Sequence, residues 1–312
     1  MNLYTLWNKW KLFPITTGII GILALTGCQN KQEQDKKPNI IVILSDDAGY
    51  ADFGFTEGNE FPTPNIDSLA ADGVVCTQGY VTASTCAPSR AGLMTGKYQQ
   101  RFGAECNVPT IPTPGHTEED LGVDTSLTTY ADRMNDLGYR TMAVGKWHLG
   151  ELPQYHPNNR GFDEFYGFTG GARSYWPVED PEGGRAMLHN MDSLNEMEKI
   201  DYLTDDLTDA TLDFINRNQD RPFFVYLAYN AVHTPFHAKD EDIEQSPSFN
   251  NKYRRILAAM TRSLDENVGR LREKLRELDL AENTLIFFLN DNGGATAQDA
   301  YSNGSLRGYK GS

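Results

Sequence analysis

The stretch Pro38-Asn39-Ile40-Ile41-Val42-Ile43-Leu44-Ser45-Asp46-Asp47 reads as a buried strand that ends in two carboxylates. Its apolar run is continuous. It lacks the in–out alternation of a strand with one wet face, so both faces are expected to be covered. That is the signature of a parallel strand, and parallel strands need crossover helices.

The chain supplies them. Thr63-Pro64 offers a cap and a first-turn proline for a helix through Leu69. Residues 74–80 read as a second strand. Pro88-Ser89 opens a helix to about Met94 that Gly96 closes. Residues 128–137 read as a helix stopped by Gly138, followed by a strand over 140–144. Leu203, Leu207, Ala210 and Phe214 mark one helix face, and 222–228 a strand. Tyr253, Ile256, Met260, Leu264, Val268, Leu271, Leu275 and Leu278 form a long apolar stripe, and 284–289 reads as another buried strand. The alternation predicts an α/β fold, a mostly parallel mixed sheet sandwiched by helices. Residues 151–200 are rich in Gly, Pro and aromatics and read as irregular substrate-side insertions.

Residues 1–27 carry Lys9 and Lys11, then an apolar stretch ending in Leu25-Thr26-Gly27-Cys28. A short apolar run behind a basic start reads as a signal peptide rather than a spanning helix. Leu-Thr-Gly-Cys resembles the bacterial lipobox, which implies lipidation of Cys28 and the lipoprotein export machinery as a partner. The expected product is an exported protein, lipid-anchored to a bacterial membrane in the periplasm or at the cell surface. Polar residues 28–37 read as its tether. Of four cysteines, Cys76 and Cys106 are then unassigned; both are expected to be unpaired, with Cys76 in the core. The formal net charge of −15 excludes nucleic acid as a general partner, because phosphate binding wants a basic face.

In open α/β sheets ligands gather at the carboxyl ends of strands. Asp46-Asp47 follows the first strand and Asp291-Asn292-Gly293-Gly294 the last. Oxygen ligands from two strand ends suit a hard divalent cation, Ca²⁺ or Mg²⁺. Taken alone, each pair is equally a solvated turn.

Cys86-Ala87-Pro88-Ser89-Arg90, with Thr95-Gly96 behind it, is the decisive segment. Taken alone it is a small buried cysteine before a helix. With its neighbours it resembles the type I, formylglycine-dependent sulfatase family of the alkaline-phosphatase-like superfamily. Further blocks follow in order: Gly145-Lys146-Trp147-His148-Leu149-Gly150, Gly161-Phe162-Asp163, His233-Thr234-Pro235-Phe236, Asp291-Asn292-Gly293 and Leu306-Arg307-Gly308-Tyr309-Lys310-Gly311.

The resemblance implies sulfuric ester hydrolysis. Cys86 would be oxidised to formylglycine by an external maturation enzyme, and its hydrated aldehyde would attack sulfur and form a sulfated enzyme intermediate. Asp46, Asp47, Asp291, Asn292 and the modified Cys86 would hold Ca²⁺, with Mg²⁺ second. Arg90, one helical turn beyond Cys86, would orient the nucleophile and support the metal ligands. Lys146 and Lys310 would bind sulfate oxygens, His148 would assist the nucleophile, and His233 with Lys310 would protonate the leaving oxygen. The expected substrate is a sulfated glycan or aryl sulfate, and Arg173-Ser174-Tyr175-Trp176 offers a segment that either contacts the sugar or packs in the core. His156 and His237 read equally as structural or substrate-facing. Two competing readings are a phosphodiesterase or phosphonate hydrolase of the same superfamily and a non-catalytic glycan-binding relic. Family members continue into further strands and a smaller C-terminal subdomain. Residues 38–312 are therefore expected to be a truncated N-terminal catalytic domain, poorly stable and weakly active or inactive as this product.

Overall fold

The structure is a computed structural model that describes residues 37–312 apart from 59, 110, 112–113, 115–116 and 118–119. The expected signal peptide, Cys28 and nearly all of the tether lie outside the described residues.

In chain order the elements are β1 (Asn39–Ser45), α1 (Pro64–Ala71), α2 (Cys86–Thr95), α3 (Tyr130–Asp136), β2 (Arg140–Lys146), β3 (Glu164–Phe168), β4 (Leu188–His189), β5 (Asp192–Ser193), α4 (Glu196–Lys199), α5 (Leu203–Arg217), β6 (Phe223–Ala228), α6 (Asp240–Gln245), α7 (Lys252–Glu277) and β7 (Thr284–Asn290). The strands form one sheet in the order β5-β4-β3-β2-β6-β1-β7. The five from β3 to β7 in that order run parallel, and β4 and β5 add an antiparallel hairpin at the β3 edge.

β1 shows why an unbroken apolar run was needed. Its side chains alternate between two cores. Ile41 and Ile43 pack with Leu207 and Phe214 of α5 and with Leu257, Leu264, Val268 and Leu271 of α7. Val42 and Leu44 face the opposite way, toward Ala91 and Met94 of α2 and Ala131 of α3. The sheet is therefore covered by helices on both faces, and the α/β reading holds. At about 1.5–3 kcal/mol per buried large apolar side chain, these two layers supply most of the drive that holds the strand ends in place.

Three expectations about elements need correction. Residues 74–80 are not a strand. β1 already has β6 and β7 on its two sides, and among the described residues nothing pairs with 74–80. Val74 is 90 % exposed and Cys76 is exposed rather than core. Strand propensity without a partner does not make a strand. β7 is not buried on both faces: it is an edge strand, with Ile286 and Phe288 packed on the core and Leu285 and Phe287 largely exposed. Finally, 151–200 is not all irregular, because Glu164-Phe-Tyr-Gly-Phe168 joins the parallel sheet beside β2. Gly167 is what allows it: a Cβ there would lie 2.1 Å from the Gly145 carbonyl oxygen.

Candidate active site

Five strand ends and loops converge on one point. β1 ends at Ser45, and Asp46 and Asp47 follow. On a continuing strand their side chains would point to opposite faces. Asp47 instead takes a left-handed φ of 64°, which breaks the alternation and turns both carboxylates to the same cluster. β7 ends one residue before Asp291, whose N–H donates to the Ser45 carbonyl at 3.1 Å. Asn290 ties the two loops: its Oδ1 accepts from the Ser45 hydroxyl at 2.8 Å and its Nδ2 donates to the Ala48 carbonyl at 2.6 Å. No motif marked Asn290 beyond its place next to Asp291.

Cys86 is the first residue of α2, with Thr85 at its N-cap. Pro88 is tolerated because its missing N–H falls in the first turn. The helix starts two residues before the expected Pro88 and is closed, as expected, by a left-handed Gly96 with φ of 64°. Cys86 and Arg90 share a face. The thiol donates to Asp46 Oδ1 at 3.6 Å and faces Asp47 Oδ1 at 3.9 Å. Arg90 puts Nε and Nη2 on Asp291 Oδ2 at 3.0 and 2.8 Å, and Nη1 on the Lys146 carbonyl at 2.9 Å.

Lys146 ends β2. Before it, Gly145 takes φ of 93° where a side chain would meet the Ala228 carbonyl at 2.0 Å. That backbone aims Lys146 inward, and its Nζ reaches Asp46 Oδ2 at 2.6 Å. Lys310 reaches Asp47 at 2.7 Å, with its loop held by the Gly311 N–H on the Ser84 carbonyl. His233 Nε2 stands 3.4 Å from Asp47 Oδ2. Its Nδ1 lies 2.6 Å from the Thr234 carbonyl oxygen, which can only accept, so Nδ1 carries a hydrogen.

Charge explains the cohesion of so polar a site. Asp46, Asp47, Arg90, Lys146, Asp291 and Asn292 are all buried. Three carboxylates meet Arg90, Lys146 and Lys310, so the buried charge is close to balanced. Burial pushes the Asp46 carboxyl up, but Lys146, His233 and Arg90 outweigh it and hold the carboxyl below its ordinary range. Burial, then the Asp46 charge, pushes the Cys86 thiol up to about 12. With no metal bound, an unmodified Cys86 is thus a protonated thiol at neutral pH and a poor nucleophile. Burial and the positive charges of Lys146, Arg90, His233 and Lys310 press His148 well below its ordinary value. Held neutral, it keeps a ring nitrogen free to accept a hydrogen bond, and its buried Nδ1 has no hydrogen-bond partner among the described residues.

A cation fits this cluster. Ligand atoms of Asp46, Asp47, Cys86 and His233 lie within 4.8 Å of one another. Asn292 gives Nδ2 to Asp47 Oδ1 at 2.7 Å, which leaves its buried Oδ1 without a partner. Carboxylate and amide oxygens suit a hard cation. Asp291 accepts from Arg90 and from the Asp47 N–H and keeps lone pairs for a cation, and His233, for which the resemblance implied proton donation, also has a ring nitrogen in the cluster.

The remaining candidates fall elsewhere. Arg173 and Tyr175 are buried and are unavailable to a sugar; Trp176, 38 % exposed, is at the surface. His156 is buried, accepts the Asn158 N–H and stands edge-on to Phe165, a structural role. His237 is half-buried beside the Ser174 hydroxyl at 3.4 Å. Cys76 and Cys106 are free and exposed.

Comparison with known proteins agrees with this geometry. The family model described as Sulfatase matches residues 38–312. The human N-acetylgalactosamine-6-sulfatase is 32 % identical over 279 residues, covering 86 % of this chain and 52 % of the relative. An arylsulfatase of Klebsiella aerogenes is 30 % identical over 322 residues, covering 86 % of this chain and 68 % of the relative. The solved structure of Ps i-CgsB superposes with a TM-score of 0.81 at 40 % identity, over 89 % of this chain and 63 % of that one. Its complex with k-i-k-neocarrahexaose gives 0.79 at the same identity and coverage. A phosphonate monoester hydrolase of Agrobacterium radiobacter, 18 % identical over 82 % of this chain and 62 % of that one with a TM-score of 0.59, shares the fold alone. This chain spans about half the length of its mammalian relatives.

Proposed function

The chain belongs to the sulfatase family, and on that premise we propose that it hydrolyses the sulfate ester of a sulfated carbohydrate. The observation that carries the proposal is the convergence of Cys86 with Asp46, Asp47 and His233, flanked by Lys146 and Lys310. A sulfate ester spreads negative charge over its oxygens, and a carboxylate cluster alone would repel it. Buried Lys146, half-buried Lys310 and a cation held by Asp46, Asp47, Asn292 and Asp291 would together reverse the sign of the field the substrate meets.

Oxidised to formylglycine, Cys86 would supply the oxygen nucleophile that a protonated thiol is not. The metal, Ca²⁺ in our reading, would supply Lewis-acid polarisation of the sulfuryl group. The chain's own residues do the rest. Arg90 pins Asp291 and the Lys146 carbonyl, so the base of α2 cannot drift from the strand ends. Lys146 and Lys310 hold sulfate oxygens as point charges. Neutral His148 assists on the nucleophile side as a hydrogen-bond acceptor. His233 keeps one hydrogen on Nδ1 and directs Nε2 at the cluster, and a second proton taken up from solvent on Nε2 is the one it delivers to the leaving oxygen.

The 40 % identity to a protein solved with k-i-k-neocarrahexaose supports an oligosaccharide of that kind as substrate. The test is sulfate release from neocarra-oligosaccharides and from an aryl sulfate by the purified, formylglycine-bearing protein, beside a matched phosphate ester. Cys86→Ala should abolish release. Faster turnover of the phosphate ester would transfer the site to the phosphohydrolase reading, and sugar binding without turnover would favour the glycan-binding relic.

Export and lipid anchoring through Cys28 are part of the same proposal, supported by residues 1–28 of the sequence. Among the described residues no helix is long and apolar enough to cross a membrane. Labelling with a radioactive fatty acid should mark the wild type and not Cys28→Ala; equal labelling of both would sink the anchor.

A further inference from the structure

The loop 230–237 carries His233, and three tyrosine hydroxyls from two distant parts of the chain seize its carbonyls. Tyr175 Oη donates a shared hydrogen to the Asn230 and His233 carbonyls at 2.7 and 2.9 Å. Tyr301 Oη donates to the Val232 carbonyl at 2.9 Å. Tyr202 Oη donates to the His237 carbonyl at 3.1 Å. The other edge of the loop is tied to β1's end: the Asp46 N–H donates to the Ala231 carbonyl at 2.9 Å, and the Val232 N–H donates to the Asp46 carbonyl at 2.8 Å.

Tyr175 is itself held rigidly. It is fully buried and stacks on Tyr202 at 5.7 Å, and its carbonyl accepts the Leu203 N–H at 2.8 Å. Two residues before it, buried Arg173 forms a two-pronged pair with Glu196 at 2.9 and 2.5 Å. Glu196 also accepts the Met187 and Val178 N–H groups at 2.9 and 3.0 Å, so three points of the insertion, at 173, 178 and 187, are tied to one carboxylate. Burial holds the Tyr175 phenol well above its ordinary range, which keeps it a donor at any working pH.

We infer that Tyr175, supported by Tyr301 and Tyr202, is a positioning residue that sets where the His233 ring stands beside Asp47. The insertion read from sequence as substrate-facing thereby acts on the chemistry from behind. The ring's own anchor makes the coupling specific: Nδ1–H binds the carbonyl of the next residue, Thr234, so a change in this loop's backbone turns the imidazole with it.

The inference rests on the sulfatase reading of His233, and the experiment separates the two. In the full, formylglycine-bearing, Ca²⁺-loaded protein, Tyr175→Phe should lower kcat for an aryl sulfate by about tenfold with KM little changed, the mark of an interaction felt in the transition state. In a His233→Ala background the same substitution should cost nothing further, because its effect passes through the lost ring. An equal loss in both backgrounds, or a lowered melting temperature with kcat intact, would overturn the inference. Tyr301→Phe, which removes a single donor, carries the same expectation where Tyr175→Phe does not fold. ¹⁵N NMR of the His233 ring reads the geometry without turnover. Tyr175→Phe should weaken the Nδ1–H hydrogen-bond signature, and an unchanged spectrum would count against positioning. Absence of turnover by the wild type would refute the functional reading while the NMR comparison still decides the positional one.

Discussion

Arg90 and Asp291, 201 residues apart in sequence, meet through two nitrogens on one carboxylate oxygen at 3.0 and 2.8 Å, in complete burial. The pair joins the helix that bears Cys86 to the loop that bears Asn292. Removing one partner of a buried pair leaves an uncompensated charge and costs about 3–5 kcal/mol. Arg90→Met should therefore lower the unfolding free energy in urea by that amount, read as an earlier midpoint at unchanged m. Arg90→Lys should recover only part of it, since an ammonium cannot span Asp291 and the Lys146 carbonyl together. A midpoint unchanged in Arg90→Met would show the pair to be dispensable.

Unoxidised Cys86 should resist alkylation in the native state. It is 1 % exposed and its thiol is pushed up to about 12, so the thiolate fraction at pH 8 is about one in ten thousand. Cys76 and Cys106 are exposed. Iodoacetamide on native protein made without the maturation enzyme should label those two, and Cys86 only after denaturation. Labelling of all three at one rate would contradict the burial.

Ca²⁺ at one hundred times its Kd should stabilise the fold by about 2.7 kcal/mol, and a chelator should reverse the rise in melting temperature. Asn292→Ala should shrink the Ca²⁺-dependent shift, because the unpartnered Oδ1 is lost. A melting temperature indifferent to Ca²⁺ in the wild type argues against the site.

Asp206 on α5 gives the fold a pH dependence of its own. Burial pushes its carboxyl up to about 7, and Asp201, Asp205 and Asp209 add to the rise against the Asp201 N–H it accepts. A carboxyl raised on folding binds its proton more tightly in the folded state. Its contribution to stability is present at low pH and is lost as pH rises through the interval from about 4 to about 7. Wild-type stability should fall across that window more than Asp206→Asn does. The group is half-exposed, so the difference is modest. Parallel pH–stability curves for the two proteins would rule the effect out.

Much of the site was legible in residue order. Every proposed ligand and cation, from Asp46 to Lys310, lies in or beside the one cluster, because strand ends of a parallel sheet collect on one side. His148 was singled out too, but its neutral state depends on burial among cations that sequence does not reveal. The resemblance singled out His233 for proton donation, but its ring nitrogen beside Asp47 in the candidate cation cluster became visible only through the folded distance.

The chain's local pattern by itself determined the α/β class, the two-faced burial of β1 and the Cys86–Arg90 helix face, since these follow from hydrophobic period and helix geometry. Only the tertiary structure decided which apolar runs became strands. Residues 74–80 have the composition and lie exposed, while Gly-containing 164–168 entered the sheet, because pairing depends on a partner's open edge rather than on propensity. It also decided that Arg173 and Tyr175 serve the interior. Tyr175 comes within hydrogen-bond reach of the His233 carbonyl, 58 residues away, only when the insertion folds back, a contact no local pattern encodes.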